Sequence, residues 1–322
     1  MAITDTPSFE KFNYLLRPSK QVERKLFIEA LHRLAAGGLP LREYTYLGLG
    51  SVYYADFILF HKYLYLDSMI CVEAQPIPKR MTFNKPFDFI RLEMKRVAEI
   101  IPDLDRAVKY IVWLDYEDHL NKEILADTAG LLHILAPGSV LIVTVDADPR
   151  LLEDVETEDE CIEREARRLL DSFRSDLGKY HLGEIPRSAV SRTGLPKLFA
   201  QTLRSQFREE IARRSPLRFQ QLFNFKYADG AQMLTLGGIL GSPSDLEAVN
   251  ASGVFDLPFV TISDEPIKIS VPPLTIREKQ WLDKRIAESL KPEDLAFELE
   301  KEPLDNFRAY YRHYPTYYET LI

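Results

Sequence analysis

The stretch Tyr44-Thr-Tyr-Leu-Gly-Leu-Gly-Ser-Val-Tyr-Tyr-Ala-Asp-Phe57, continued to Ser68-Met-Ile-Cys-Val-Glu73, decides the fold. Tyr44–Leu47 is short, apolar and β-prone, as a buried strand is. Gly48 and Gly50 follow at once. Phe57–Leu66 is rich in Phe, Ile, Leu and Tyr and long enough for a buried helix, and Met69–Val72 is a second apolar strand with Glu73 at its carboxyl end. The order is strand, glycine loop, helix, strand, acid. Glycines there let a backbone approach a ligand with no Cβ between them, and open α/β sheets bind ligands beyond the carboxyl ends of their strands. An acid at the end of the second strand can accept both hydroxyls of a ribose. The unit therefore predicts a cofactor that contains adenosine.

A dinucleotide fingerprint would need a third glycine at position 53, which is Tyr53. That glycine serves close helix–strand packing beside a pyrophosphate. Gly48-Leu49-Gly50-Ser51 before a bulky helix suits a cofactor without one. At this point the chain resembles the class I S-adenosylmethionine-dependent methyltransferases. The resemblance implies that Gly48, Leu49, Gly50 and Ser51 lie against the methionine part of S-adenosylmethionine. It also implies that Glu73, with Ala74 beside it, holds the ribose.

Working outward, Phe87–Leu92 reads as a third strand ending at Glu93, which in the resembled family would receive the adenine amino group; the alternative is a surface glutamate at a helix start. Tyr110–Leu114 is a fourth strand, ending at Asp115-Tyr116-Glu117-Asp118. Residues there face the transferred methyl in the resembled fold. Asp115 is thus the catalytic candidate, orienting or deprotonating the acceptor, and Tyr116 could stack on substrate. Asp118 could instead cap the helix that follows. Ser139–Val145 is a fifth strand ending at Asp146. If Asp115 and Asp146 converge they offer an oxygen site of magnesium type, although Asp148-Pro149 is also an ordinary turn signal; a metal stays a minor alternative. Leu222–Tyr227 and Ala231–Leu240, joined through Asp229-Gly230, form a hairpin. Parallel strands followed by such a hairpin match the methyltransferase sheet, whereas a nicotinamide-dependent oxidoreductase would continue in parallel.

The expected fold class is therefore α/β, a Rossmann-like class I methyltransferase sheet with parallel strands and a C-terminal antiparallel hairpin. Residues 1–43 form an N-terminal helical lead-in and residues 44–240 the methyltransferase-like domain. Residues 150–221 form an inserted helical cap, and residues 241–322 an α+β extension. In the lead-in, Pro18 opens a helix whose apolar stripe is Phe27, Ala30, Leu31 and Leu34. Lys20, Arg24 and Lys25 are placed on the opposite, solvated face, with Arg17 or Lys20 as an alternative reaching a carboxylate. The cap consists of two amphipathic helices, Ile162–Leu177 and Leu195–Ile211.

The chain has 322 residues, 46% hydrophobic and 28% charged, with a formal net charge of −8. Such a chain is no generic nucleic-acid binder. Yet nine bases face two acids between Arg187 and Lys226, and Lys197, Arg204 and Arg208 share a helical face. That face is either a solvated surface or a phosphate contact for a nucleotide, RNA or DNA. Cys71 and Cys161 have no CxxC spacing, which suits reduced thiols and a cytoplasmic protein. No run has transmembrane length. The aromatic end (Phe307, Tyr310, Tyr311, Tyr314, Tyr317, Tyr318) should dock on its own domain, or on a second copy or another protein. The expected function is methyl transfer to an oxygen or nitrogen of an unidentified acceptor. The lack of an Asn/Asp-Pro-Pro-Tyr sequence after the fourth strand argues against methylation of DNA-base amino groups. The rival is a non-catalytic subunit of this fold within a larger assembly.

Overall fold

The computed structural model describes residues 17–149, 167–168, 171–180 and 185–315. Cys161, the acidic run after Arg150, residues 162–166, 169 and 170 of the first cap helix, Tyr317 and Tyr318 lie outside them.

The elements bearing on the site are α1 (Pro18–Ala36), β1 (Thr45–Leu49), α2 (Ala55–Leu64), β2 (Met69–Val72), α3 (Pro78–Asn84), β3 (Ile90–Glu93), α4 (Val97–Ile100), β4 (Tyr110–His119), α5 (Lys122–Ile134), β5 (Val140–Asp146), α6 (Gly194–Ala212), β6 (Arg218–Asp229) and β7 (Ala231–Gly241). After them come α7 (Pro243–Ala251), β8 (Ile267–Lys268), α8 (Ile276–Asp283) and α9 (Lys301–Tyr310). One sheet runs β3-β2-β1-β4-β5-β7-β6-β8. The first five strands are parallel, and β7 is antiparallel to both β5 and β6. Five parallel strands and a closing hairpin are the Rossmann-like methyltransferase arrangement. Gly230 makes the hairpin turn at φ +113°, open to glycine and costly for other residues.

Side-chain alternation sorts the core into two layers. On one face Tyr46, Trp113, Ile142 and Phe223 pack under α1 and α2. On the other, Leu47, Val112, Leu114 and Val143 pack under α5 and α6. β5 is apolar on both sides because both are covered. Trp113 sits at the centre, 1% exposed, with Phe27 edge-on at 5.0 Å and its Nε1 donating to Thr144 Oγ1 at 3.0 Å. Truncating a side chain so placed costs about 3–5 kcal/mol.

Three expectations change here. Leu195, Leu198, Phe199, Leu203, Phe207 and Ile211 are buried in the second core layer, so α6 is a covering helix of the sheet and not a lid. It is keyed to α5 through Gln206 Nε2 donating to Leu125 O at 2.5 Å, with Thr128 Oγ1 donating back to Gln206 Oε1 at 2.7 Å. Next, α5 is capped by Asn121, whose side chain accepts from the amides of Glu123 and Ile124, so Asp118 is not the cap. Finally, Lys20 and Arg24 are 1% and 2% exposed. The stripe of Phe27 and Leu31 runs back by steps of three and four through Arg24, Glu23 and Lys20, so these charges lie on the inner face of α1.

The hairpin also fixes α1. Asp229 accepts from the amides of Ser19 (3.1 Å) and Lys20 (2.8 Å), two donors the helix cannot satisfy itself. The C-terminal region folds back onto the same helix. His313 pairs with Glu29 at 2.7 Å, Lys25 Nζ donates to the carbonyls of His313 and Tyr314, and Tyr310 donates to Lys268 O at 3.0 Å. Tyr310 is buried in the first core layer and Phe307 in a small cluster with Leu282 and Leu304, so these two aromatics pack within the chain.

Candidate functional site

At the carboxyl ends of β1, β2 and β4 lies a cavity of about 420 Å³. Leu49, Gly50 and Ser51 form one wall, Val72, Glu73 and Ala74 the next, Lys95–Val97 a third and Asp115–Asp118 a fourth. Arg24 and Asp56 also line it, and α5 contributes Glu123, Ile124 and Asp127. Seven carboxylates face three bases there. The cavity is therefore electronegative, which favours a cationic ligand.

Of the two glycines, only Gly50 reaches the cavity. Its amide donates to Val72 O at 2.6 Å. A Cβ on Gly50 would stand 2.9 Å from Cys71 Sγ, 3.0 Å from Met81 Cε and 3.2 Å from Glu73 Cβ. Gly48 is interior to β1, paired with Cys71 and Trp113, and a Cβ there would strike the Tyr46 hydroxyl. Tyr54, fully buried, holds the turn into α2 at φ +48°, with its hydroxyl on Met81 O at 2.9 Å. A non-glycine residue in that region is strained, and such strain gathers at ligand loops.

Glu73 follows β2, with its amide on Glu93 O at 2.9 Å and its Oε1 accepting from Gln75 N at 2.8 Å. Burial pushes its carboxyl above the ordinary range, opposed mainly by the Gln75 amide. Glu93 does not line the cavity. Its carboxylate pairs with Arg91 at 3.2 Å and Lys95 at 3.7 Å, and the adjoining Lys95, Arg96 and Val97 form the wall instead.

Asp115 is in the cavity wall, and a neighbour that the sequence did not assign to it holds it. Lys20 Nζ lies 2.7 Å from Asp115 Oδ1, 2.9 Å from Glu23 Oε2 and 2.8 Å from the Tyr227 hydroxyl, above the Trp113 ring at 4.4 Å. Thr235 donates to Glu23. Lys20 and Glu23 are almost wholly buried, whereas the Asp115 side chain is 26% exposed. Burial raises the Glu23 carboxyl, and Lys20 pulls it down. One acid is thereby fixed at the floor of the cavity while its other face is open. Tyr116 also lines the cavity, but its hydroxyl donates to Asp127 at 2.7 Å, and burial raises it far above its ordinary range. It acts as wall.

Asp146 does not converge with Asp115. The register sets Asp115 against Thr144 and Asp146 against His119, and Asp146 accepts from Asp148 N at 2.7 Å. Among the described residues no cluster of three metal-ligating side chains occurs. The basic face of α6 is largely committed. Lys197 pairs with Glu265 at 2.8 Å, and Arg204 contacts Asp264 and donates to Gln221 and Ser263. Arg208 is exposed. No helix among the described residues is long and apolar enough to cross a membrane.

What the sequence reading missed is Arg24. It is 2% exposed and lines the cavity, and its Nε and Nη1 have no hydrogen-bond partner among the described residues. The signal was present in its spacing from Phe27 and Leu31.

Solved structures with related folds include the O-methyltransferase TomG from Streptomyces achromogenes with S-adenosylmethionine (16% identity, 71% of this chain and 91% of that chain, TM-score 0.35). Trm1 from Pyrococcus horikoshii, also with S-adenosylmethionine, shares 12% identity over 88% of this chain and 74% of its own, TM-score 0.46. An O-methyltransferase candidate from Klebsiella pneumoniae shares 12% over 75% and 93%, TM-score 0.38. No curated protein matches the chain. A family profile described as "Putative O-methyltransferase" matches residues 12–322, nearly the full length, so the chain belongs to that methyltransferase family.

Proposed function

We propose that the protein transfers a methyl group from S-adenosylmethionine to an oxygen of an acceptor molecule bound over Asp115. The observation that carries this is the half-buried carboxyl of Glu73, raised by its partial burial, beside Gly50 in an electronegative cavity at the strand ends. Glu73 would accept from the ribose hydroxyls, and the Gly50–Ser51 backbone would lie along the amino-acid part. Val97 and Ile124 offer apolar contact for the adenine. The cofactor supplies a methyl group on a sulfonium. The negative wall favours that cation over the neutral thioether product, which helps product leave.

The chain's own share is positioning and exclusion of water. Lys20 fixes one oxygen of Asp115, leaving the other face of the carboxylate to accept a hydrogen bond from the acceptor hydroxyl, hold it in line and take its proton as the methyl passes from sulfur to oxygen. With Tyr116 tied to Asp127, Asp115 is the group placed to do so. Oxygen is preferred to nitrogen as the acceptor atom from the family description.

Calorimetric titration with S-adenosylmethionine and S-adenosylhomocysteine tests the reading. The wild type should bind both, and Glu73→Ala should lose at least about tenfold for each, as expected when a carboxylate's hydrogen bonds are removed. A wild type that binds neither ends the proposal.

A further inference from the structure

A second cavity, of about 330 Å³, shares no lining residue with the one at the strand ends. Small-molecule sites span about 300–1,000 Å³, so it is large enough for a compact ligand. Pro18 of α1 forms one wall, residues 271–276 leading into α8 a second, and Tyr314 with Pro315 a third. Pro18 and Lys20 are two residues apart, about 200° around a helix. This cavity and the Lys20–Asp115 pair therefore lie on opposite sides of one helical turn.

The lining is apolar, and its polar groups are largely committed. Pro18, Pro272, Pro273 and Pro315 have no N–H to offer. Leu274 N donates to the Tyr314 hydroxyl at 3.3 Å, and that hydroxyl donates to Pro272 O at 2.6 Å. Thr275 caps α8, with its amide on Glu278 Oε2 and its hydroxyl accepting from Glu278 N. Lys279 differs. It is the one charged residue in the lining among the described residues. Its side chain is 18% exposed, with the ammonium over the Tyr314 ring at 5.5 Å. An ammonium has three donors. Lys279 gives one to Asp283 at 2.5 Å, so among the described residues donors remain for a ligand.

A second ammonium stands nearby. Burial, together with repulsion from Lys279, holds the Lys25 ammonium below its usual range. Lys25 donates to the carbonyls of His313 and Tyr314, which leaves an anion in the cavity to Lys279. One half-buried ammonium neutralises one negative charge. A second charge on the ligand would be buried without a partner, at high cost. A carboxylate meets that condition, and the proline, Leu274 and Ile276 surfaces call for hydrocarbon on the rest of the molecule. We propose that this cavity is a second ligand site, for a small apolar carboxylate whose anion pairs with Lys279. The site stands independently of the S-adenosylmethionine reading.

Calorimetry on the full chain can compare naphthoate with naphthylmethanol, a neutral alcohol of like shape. Excess S-adenosylhomocysteine keeps the probes out of the cavity at the strand ends. The wild type should bind naphthoate at least about tenfold more tightly than the alcohol, as expected for a hydrogen bond to a charged group. Lys279→Met should remove that preference and leave the affinity for the alcohol unchanged. The variant loses only a partly exposed pair with Asp283, which contributes little to folding. Ile276 is 55% exposed at the start of α8, so Ile276→Trp can place an indole in the cavity without opening the core. It should abolish binding of both probes. Equal wild-type affinities for the two probes overturn the assignment, as does a preference that survives Lys279→Met. Binding that survives Ile276→Trp puts the ligand elsewhere and also overturns it. A wild type that binds neither probe at millimolar concentration ends the proposal and assigns the cavity to a protein segment instead.

Discussion

The two sides of the cavity are built on opposite plans. The Glu73 side is short-range. A strand, a loop and the next strand deliver Gly50, Ser51, Glu73 and Ala74 within twenty-five residues, and the ligand-facing groups are backbone or half-exposed. The Asp115 side is long-range. Its floor joins Lys20 and Glu23 of α1, Asp115 of β4, Tyr227 of β6 and Thr235 of β7, all within hydrogen-bond distance of a neighbour in the cluster. The first side can lose its ligand group with the fold intact. The second cannot lose its central charge without leaving a buried acid with no counter-charge.

The largest effect should therefore come from Lys20→Met. It strands Glu23 and unpins Asp115, and breaking a buried pair in this way costs about 3–5 kcal/mol. Urea unfolding followed by fluorescence measures it. The double variant Lys20→Met/Glu23→Gln should recover at least about 1 kcal/mol of that loss, since the stranded charge is gone. No recovery would mean that the cluster is held by packing alone, and the contrast between the two sides would fail.

Gly50→Ala is the matching probe of the short-range side. The added methyl must displace Cys71, Met81 and Glu73 by tenths of an ångström. Overpacking of this kind costs about 1–3 kcal/mol, and moving Glu73 should weaken S-adenosylhomocysteine as well. Stability falling while affinity stays level would separate the loop from the ligand.

The finest probe is pH. Burial raises the Glu73 carboxyl, so the apo fold keeps a proton that the unfolded chain releases. Its contribution to stability is present below the ordinary glutamate range and is lost as pH rises through that range towards the raised value. Ligand affinity has the opposite sign. It needs the carboxylate, so it is full at high pH and falls as pH drops through the raised value, earlier than an ordinary glutamate would allow. Affinities measured at successively lower pH from neutrality should show this fall in the wild type. Glu73→Gln should flatten it.

The same contrast explains what was legible in the sequence. β1, Gly50, β2 and Glu73 announce themselves because each local choice agrees with its neighbours: apolar strand, glycine, apolar strand, acid. The hairpin at Asp229-Gly230 is equally local. The floor is not. Lys20 and Arg24 look like a solvated face, and Glu23 draws no notice, until their surroundings on β4, β6 and β7 are known, because charges on an inner face are rare. Counting back from Phe27 and Leu31 would have placed them correctly. Asp146 was misplaced for a different reason. The register slips between Asp115 and His119 as β4 continues beyond Leu114, and strand irregularities of this kind carry no compositional mark. Lys197 and Arg204 read as a basic face because their partners, Glu265 and Asp264, lie 68 and 60 residues downstream.

Asp229 has a consequence for how the molecule comes into being. It closes the first turn of α1 from 209 and 210 residues away. A nascent chain exposes that helix early, with its inner charges facing water, and its anchor is among the later residues to leave the ribosome. Contacts so distant in sequence form slowly. The cofactor side of the cavity can assemble from the first strands, but the acceptor side closes only after the hairpin has been made. A chain interrupted before residue 229 would thus hold half a pocket and lack the pinned acid over which methyl transfer is set up.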